Sequence, residues 1–256
     1  MKFEDHLAPL MPPPGARPCE RCALRANPAF LPIPESEREA IQSFRRGTRV
    51  VDAGRSIIDE HRSSAQLFTL YSGWAFRFKS LSDGRRQILN FLLPGDFIGL
   101  QEEFADGQKH GVEAASAVTL CVFERKDLWQ MFHSQPKLGY DITWLAAREE
   151  KFVDDHLVTA GRRNAAERVA MLLMHLFRRA QRVGMEREGW VEFPFHQQHI
   201  ADALGLSLVH TNKTLRALLR LGLYRIDNGW LRILEPHALE TLGDYFDRPL
   251  RPTPLI

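Results

Sequence analysis

QQHIADALGLSLVHTNKTLRALL, running from Gln197 to Leu219, is the stretch on which the fold turns. Ile200, Ala201 and Leu204 fall at the three-to-four spacing of a short amphipathic helix. Ala201 is small enough to let a second helix cross closely, and Gly205 tolerates the positive φ that redirects the chain. Ser207 then stands where a hydroxyl caps a new helix, whose apolar face uses Leu215, Leu218 and Leu219. Thr211 and Thr214 occupy positions where such pairs usually carry aliphatic residues. Two short helices about a tight glycine turn form a helix-turn-helix.

Downstream, Leu223–Asp227 and Trp230–Leu234 flank Asn228-Gly229, a strong two-residue hairpin signal. Helix, turn, helix and hairpin in that order make a winged helix, which places its second helix in the major groove of duplex DNA. The expected contacts follow from side-chain chemistry. Val209, His210 and Lys213 are the candidates for base edges, Val209 toward a thymine methyl and Lys213 toward guanine acceptors. Asn212 stands beside them, facing either a base or a phosphate, and Ser207 joins the set at the cap. Arg216 and the wing residue Arg225 suit phosphates, which position rather than specify. His196 and His199 open the first helix and read as solvent- or phosphate-facing groups rather than metal ligands.

Upstream, Asn164-Ala-Ala-Glu167 has the form of a capping box, followed by Val169, Leu172, Leu173 and Leu176 on one helical face. Ala160-Gly161-Arg162-Arg163 separates it from an earlier helix, Lys137 to Thr159. Its stripe is Leu138, Ile142, Leu145, Phe152 and His156, interrupted at Glu149. At about 1.5 Å per residue this helix outruns a compact core. The expectation is pairing with a second copy along that stripe; the alternative is packing on its own β domain. Between Arg46 and Glu124, short apolar runs (Gln66–Tyr71, Trp74–Lys79, Gln87–Leu93, Thr119–Phe123) alternate with turn signals at Ser72-Gly73, Asp83-Gly84 and Pro94-Gly95-Asp96. Such strands without intervening helices form a β-roll or jelly-roll. Glu35–Phe44 reads as a short helix, and the preceding residues as a proline-rich arm.

With 44% apolar and 26% charged residues, the 256-residue chain has the balance of a water-soluble globular protein. It holds no run of eighteen apolar residues and no apolar leader, so the expected location is the cytoplasm, without membrane contact. Three cysteines are too few and odd in number for a disulfide framework. The net charge of +2 is uninformative, but from Arg162 onward basic residues outnumber acidic ones, as in a phosphate-binding unit joined to a neutral sensor. No phosphate loop, nucleotide fingerprint, metalloprotease helix or nucleophile elbow is present, and no enzyme is expected. Two alternatives stand beside a DNA-binding regulator. One is a thiol-redox enzyme on Cys19 and Cys22, which lacks a surrounding βαβ pattern; the other is an effector-binding adaptor without DNA contact, against which Lys213, Arg216 and Arg220 speak.

The order of these units resembles the Crp/Fnr superfamily of bacterial transcription regulators from about Glu35 to Gly243. The resemblance rests on Leu70-Tyr-Ser-Gly-Trp74, Asp83-Gly-Arg-Arg-Gln87, Leu93-Pro-Gly-Asp-Phe-Ile-Gly99, Asn164-Ala-Ala-Glu-Arg168 and the helix-turn-helix. It implies an α+β chain: an arm over 1–34 carrying the C-x-x-C pair, a cyclic-nucleotide-binding-like β-roll sensor over 35–133, a dimerisation helix over 134–160, and a winged helix-turn-helix DNA-binding domain over 161–256. It further implies a homodimer on a partly palindromic operator, and RNA polymerase as a partner. Members that bind cyclic AMP carry a Gly-Glu pair and an Arg-Ser pair where this chain has Gly99-Leu100 and His110-Gly111, so cyclic AMP is not expected as effector. The Glu and Arg with which many members read DNA correspond to Val209 and Lys213, which implies a different operator.

Fnr-type oxygen sensors hold an iron–sulfur cluster on cysteines of the arm plus one on the last roll strand. Cys19, Cys22 and Cys121 match three of those four, and Pro28 falls at the fourth. Three readings stay open: a cluster on the three cysteines, a zinc or dithiol switch on the same residues, or incidental thiols.

Overall fold

Residues 45–98 and 111–124 supply the strands of a roll because apolar, β-branched and aromatic residues recur there in short runs. The computed structural model describes residues 19, 21–102, 110–245 and 251–256. Strands β1 (Arg45–Val51), β8 (Val118–Glu124), β3 (Gln66–Ser72) and β6 (Phe97–Ile98) form one sheet in that order. Strands β2 (Ser56–Ile58), β7 (Gly111–Ala114), β4 (Ala75–Ser80) and β5 (Arg86–Leu92) form the second. Every pairing is antiparallel, and Phe68, Leu70, Leu92, Val112, Leu120 and Val122 share the core of the roll. The turn at Pro94-Gly95-Asp96 needs its glycine twice over. Gly95 has φ +94°, and a Cβ there would lie 2.2 Å from the Phe30 ring of the arm.

Helices α1 (Glu35–Phe44) and α2 (Leu128–Ser134) cover the first sheet, whose outer residues Leu67 and Phe123 join Ile41, Met131 and Leu138 in a second apolar cluster. Helix α3 (Pro136–Arg162) follows as one 27-residue element, running through Ala160-Gly161 where a break was expected. Its inward face differs in role from the sequence expectation. Leu138, Ile142 and Leu145 are buried against the chain's own roll, and Phe152 turns toward the next helix, its ring meeting His175 and Arg179. Glu149, which seemed to interrupt the stripe, pairs with Arg77 at 3.5 Å and accepts from Asn90. The stripe is therefore an intramolecular face. A partly charged interior looks like a flaw in a seam when only periodicity is read.

Helix α4 (Ala165–Arg182) starts at Asn164, whose side chain accepts from the amides of Ala166 and Glu167 while Glu167 accepts from the Asn164 amide at 2.9 Å. Its buried Val169, Leu172, Leu173 and Leu176 meet α5 (Gln197–Leu204), α6 (Leu208–Arg220), α7 (Pro236–Gly243) and a small sheet of β9 (Glu186–Arg187), β10 (Trp190–Glu192), β11 (Tyr224–Asp227) and β12 (Trp230–Ile233). The same core continues onto the roll through Trp74, Phe76 and Phe91, with Phe195 meeting Trp74 and Phe91 edge-on at 5.2 and 4.6 Å. Residues 251–256, expected within the C-terminal domain, instead lie on the arm and the roll.

One buried carboxylate ties these parts together. Asp96 accepts from the Leu93 amide at 2.8 Å, from Arg179 of α4 at 2.7 Å and from Arg148 of α3. Both guanidinium groups lie over the Phe152 ring. Removing the acid leaves two buried cations without their counter-charge. Asp96→Ala should therefore cost about 3–5 kcal/mol of unfolding free energy, read from denaturant midpoints at constant m-value.

Candidate nucleic-acid interface and thiol site

Gly205 adopts φ +63°, ψ +34° and closes α5, so that α6 leaves at once behind it. Ser207 caps α6 by accepting from the His210 amide at 3.2 Å. Thr211, Thr214, Leu215 and Leu218 turn inward; Thr211 is fully buried, and its hydroxyl has no hydrogen-bond partner among the described residues. The opposite face is open. Ser207, Val209, His210, Lys213, Arg216 and Arg220 are exposed, with Val209 at 79%.

Val209, Lys213, Arg216 and Arg220 follow at four-, three- and four-residue steps and so share one stripe. Helix α6 contains no acidic residue, and among the described residues its three long cations form no ion pair. Asn212 is placed differently from its neighbours: it is half-buried, and its amide oxygen is shielded without a partner among the described residues. The wing turn has positive φ at both Asn228 (47°) and Gly229 (79°), as a tight hairpin of this twist requires. Arg225 is exposed on β11 and pairs with Asp227 at 3.1 Å. Tyr224 holds the wing to α6 by donating to the Leu215 carbonyl at 3.0 Å, and burial pushes its hydroxyl up to about 12.

The DNA-facing unit is seated on the roll by polar clips that the sequence reading missed. Arg86 donates to Asp202 of α5 at 3.0 Å, and Gln87 donates to the Ala203 carbonyl at 3.0 Å. His199 differs from its expected solvent-facing role. Its ring packs 5.0 Å from Phe76, and its Nδ1 accepts from the His196 amide. No local signal gives this, because the partner ring lies on a strand far away in sequence.

Cys121, about a hundred residues from the C-x-x-C pair, shares one cavity with Cys19 and Cys22. Cys121 sits on β8 opposite Thr48 and Thr69, and it lines one small cavity together with Cys19, Cys22, Arg25, Arg45, Tyr71, Leu255 and Ile256. Burial raises the Cys19 and Cys121 thiols above their ordinary value, against the opposing pull of Arg45, so both stand protonated near neutral pH. The cavity measures about 20 Å³, room for one water. Among the described residues no group of three His, Cys, Asp or Glu side chains is placed to hold a metal ion. Pro28 is exposed and lies off the cavity. The donor type suits an iron–sulfur cluster, but a polynuclear cluster does not fit this arrangement while Leu255 and Ile256 close it.

A β-roll joined by a long helix to a winged helix, whose cationic stripe forms no ion pair among the described residues, defines the class of a sensor-regulated DNA-binding regulator. Comparison with known proteins agrees. Residues 167–242 match the Crp-like helix-turn-helix domain, and residues 48–135 match the cyclic nucleotide-binding domain. The chain is 31% identical to the nitrogen fixation regulation protein FixK of Bradyrhizobium diazoefficiens, covering 90% of this chain and 95% of that one. It is 30% identical to the transcriptional activatory protein AadR of Rhodopseudomonas palustris, over 88% and 93%. The structure of FixK2 from Bradyrhizobium japonicum superposes with a TM-score of 0.69 at 26% identity, over 76% of this chain and 96% of that one. The protein belongs to the Crp/Fnr family and is a sensor-regulated, DNA-binding transcription regulator. Its relatives are regulators rather than enzymes.

Acid should loosen the seat of the DNA-facing unit. Burial lowers His199 from 6.5 to about 4, so the folded form favours the neutral ring. The stability this contributes is complete above pH 6.5 and is lost as pH falls from 6.5 toward 4. His199→Phe keeps a ring against Phe76 and should lose less stability than the parent over that window, measured by urea unfolding at pH 7 and pH 4.5.

Proposed function

We propose that the protein is a cytoplasmic homodimeric transcription regulator that reads a partly palindromic operator with α6 and responds to a signal at its three thiols. The observation that carries the DNA reading is the stripe of Val209, Lys213, Arg216 and Arg220, exposed on a capped helix that holds no acid. Val209, His210 and Lys213 meet base edges, with Ser207 and Asn212 at the margin; Arg216 and Arg225 meet phosphates. RNA polymerase is the further partner in this reading, in keeping with relatives named as transcriptional activators.

The dimer uses the face of α3 that the fold leaves open. Thr143, Ala146, Glu150, Val153, Leu157 and Ala160 are exposed at alternating three- and four-residue steps, with Val153 at 46% and Leu157 at 71%. That is the spacing of a two-helix seam. It lies about a quarter turn around the helix from the stripe that periodicity alone singled out.

The effector in this reading is not cyclic AMP. Leu100 is buried among apolar residues where a ribose carboxylate would be needed. His110 is buried and lowered to about 4, so it is neutral where the cyclic phosphate would need a cation. The thiol site is the candidate sensor, supported by the convergence of Cys19, Cys22 and Cys121 on one cavity beside α1 and β3. Its responsive species is an oxidised thiol pair, or a zinc ion or iron–sulfur cluster, the last two of which require more room than the closed cavity gives. Protein purified without oxygen separates them by colour, iron, sulfide and zinc content.

Selection from random duplexes should enrich a two-half-site sequence, unchanged by millimolar cyclic AMP. Lys213→Ala should lose about 1–3 kcal/mol of discrimination at one base pair per half-site. Arg225→Ala should weaken all sequences alike and flatten the salt dependence. No enriched sequence from the parent protein would overturn the reading. Leu157→Glu places a charge in the proposed seam and should give a monomer by sedimentation at micromolar concentration, whereas Phe152 substitutions should leave the dimer intact. A Leu157→Glu protein that stays dimeric would remove this seam.

A further inference from the structure

The segment Arg251-Pro-Thr-Pro-Leu-Ile256 reaches back from the DNA-binding side of the molecule to close the thiol cavity. It adds to the arm as a short parallel strand: the Thr253 amide donates to the Ala29 carbonyl at 2.8 Å, and the Leu31 amide donates to the Thr253 carbonyl at 2.9 Å. Beyond that rung, Arg25 donates to the Leu255 carbonyl at 3.1 Å, and the Thr69 hydroxyl donates to the Ile256 carbonyl at 2.6 Å. Leu255 is buried against Ala29 and Phe30, while Ile256 is buried among Ile41, Phe123 and Leu138, and both side chains wall the cavity of the three cysteines. On its other side the segment is tied to the helices on either side of Arg163. Arg148 of α3 donates to the Thr253 hydroxyl at 3.3 Å, and Arg182 of α4 donates to the Arg251 carbonyl.

We infer that residues 251–256 are a releasable strap: they occupy the space that any species bound to Cys19, Cys22 and Cys121 must take, and their displacement frees contacts on both α3 and α4. The inference rests on the reading of the thiols as a responsive site. The cavity is otherwise lined by the arm with Cys19, Cys22, Leu24 and Arg25, by Arg45, and by β3, β8 and α1, the sheets and α1 being held by ladders and the core. Of the walls that carry no thiol, the strap yields most readily. Pro252 and Pro254 have no amide donor, so pairing with the arm is confined to the rung at Thr253. A strand with one rung and a two-residue apolar anchor opens locally at far lower cost than the sheets beside it. Opening also withdraws partners from Arg148 and Arg182, the first of which shares Asp96 with Arg179. A change at sulfur is thereby felt at the joint between roll and DNA-binding unit, with no direct path through the sheets.

The test is the rate at which the intact protein's cysteines react with N-ethylmaleimide, read site by site by mass spectrometry. In the parent protein Cys19 and Cys121 should react slowly. Leu255→Asp should raise both rates by at least about tenfold, because the anchor no longer favours burial. Thr69→Val removes one hydrogen bond without changing shape and should raise them by about fivefold. This milder variant decides the matter if Leu255→Asp fails to fold. Once the cysteines are alkylated, hydrogen exchange at 251–256 and at Ala29–Leu31 should lose its protection. Parent cysteines that react as fast as those of Thr69→Val, or alkylated protein whose strap stays protected, would overturn the inference. A strap released by alkylation with operator affinity unchanged would support the strap and count only against the sensory reading.

Discussion

Asp96 is a single, nearly buried carboxylate serving two arginines. Its partners come from different parts of the chain: the Leu93 amide of its own turn, Arg148 of α3 and Arg179 of α4. Two cations on one acid leave a surplus of positive charge, and the surroundings absorb it. The Phe152 ring presents its face to both guanidinium groups, Arg179 also donates to the Phe91 carbonyl at 2.8 Å, and Glu149 stands nearby on Arg77 and Asn90. Each member is tolerable in the interior only while the others are present. The sensor roll, the long helix and the DNA-binding unit therefore share one joint that is either whole or broken.

This joint sets the scale for every other contact between the units. Arg86 with Asp202 and Gln87 with the Ala203 carbonyl lie at the periphery and are partly wet, so they tune orientation more than they hold it. The rings of Trp74, Phe91 and Phe195 add apolar burial, which is strong but not directional. A signal that reoriented the DNA-binding unit would work by changing what surrounds Asp96, because small losses elsewhere leave the two arginines in place. Arg148 is the reachable member: it touches both Asp96 and the segment at Thr253.

Much of this was legible in the sequence wherever a local rule applies. The glycine at 205, the Asn228-Gly229 pair, the Ser207 cap and the Asn164–Glu167 box each satisfy backbone groups within a few residues, so their chemistry is visible in order along the chain. What escaped is long-range. Asp96 reads as the last residue of a turn, yet its partners lie 52 and 83 residues away. Helix α3 has two faces of mixed composition. Hydrophobic periodicity favoured the one holding Leu138, Ile142 and Leu145, which the roll covers, over the thinner exposed one with Ala146, Val153 and Leu157. The convergence of Cys121 on Cys19 and Cys22 followed from resemblance rather than from spacing. The closing role of Leu255 and Ile256 has no sequence signal beyond two apolar residues after a proline.

Net charge was the least informative number in the sequence, and the structure gives the reason. Several arginines are spent internally: Arg77, Arg86, Arg148, Arg163, Arg178 and Arg179 each pair with a carboxylate and hold the molecule together. Helix α6 departs from that pattern. Its Lys213, Arg216 and Arg220 project from one side of a helix without an acid, and the capped N-terminus adds the positive end of the helix dipole to Val209 and His210. Exposed charges are screened over about 8–10 Å in physiological salt, so a duplex responds to this local surface and hardly to the sum over the chain. A chain of net charge +2 can therefore present a strongly cationic reading head, because none of its carboxylates lies on α6.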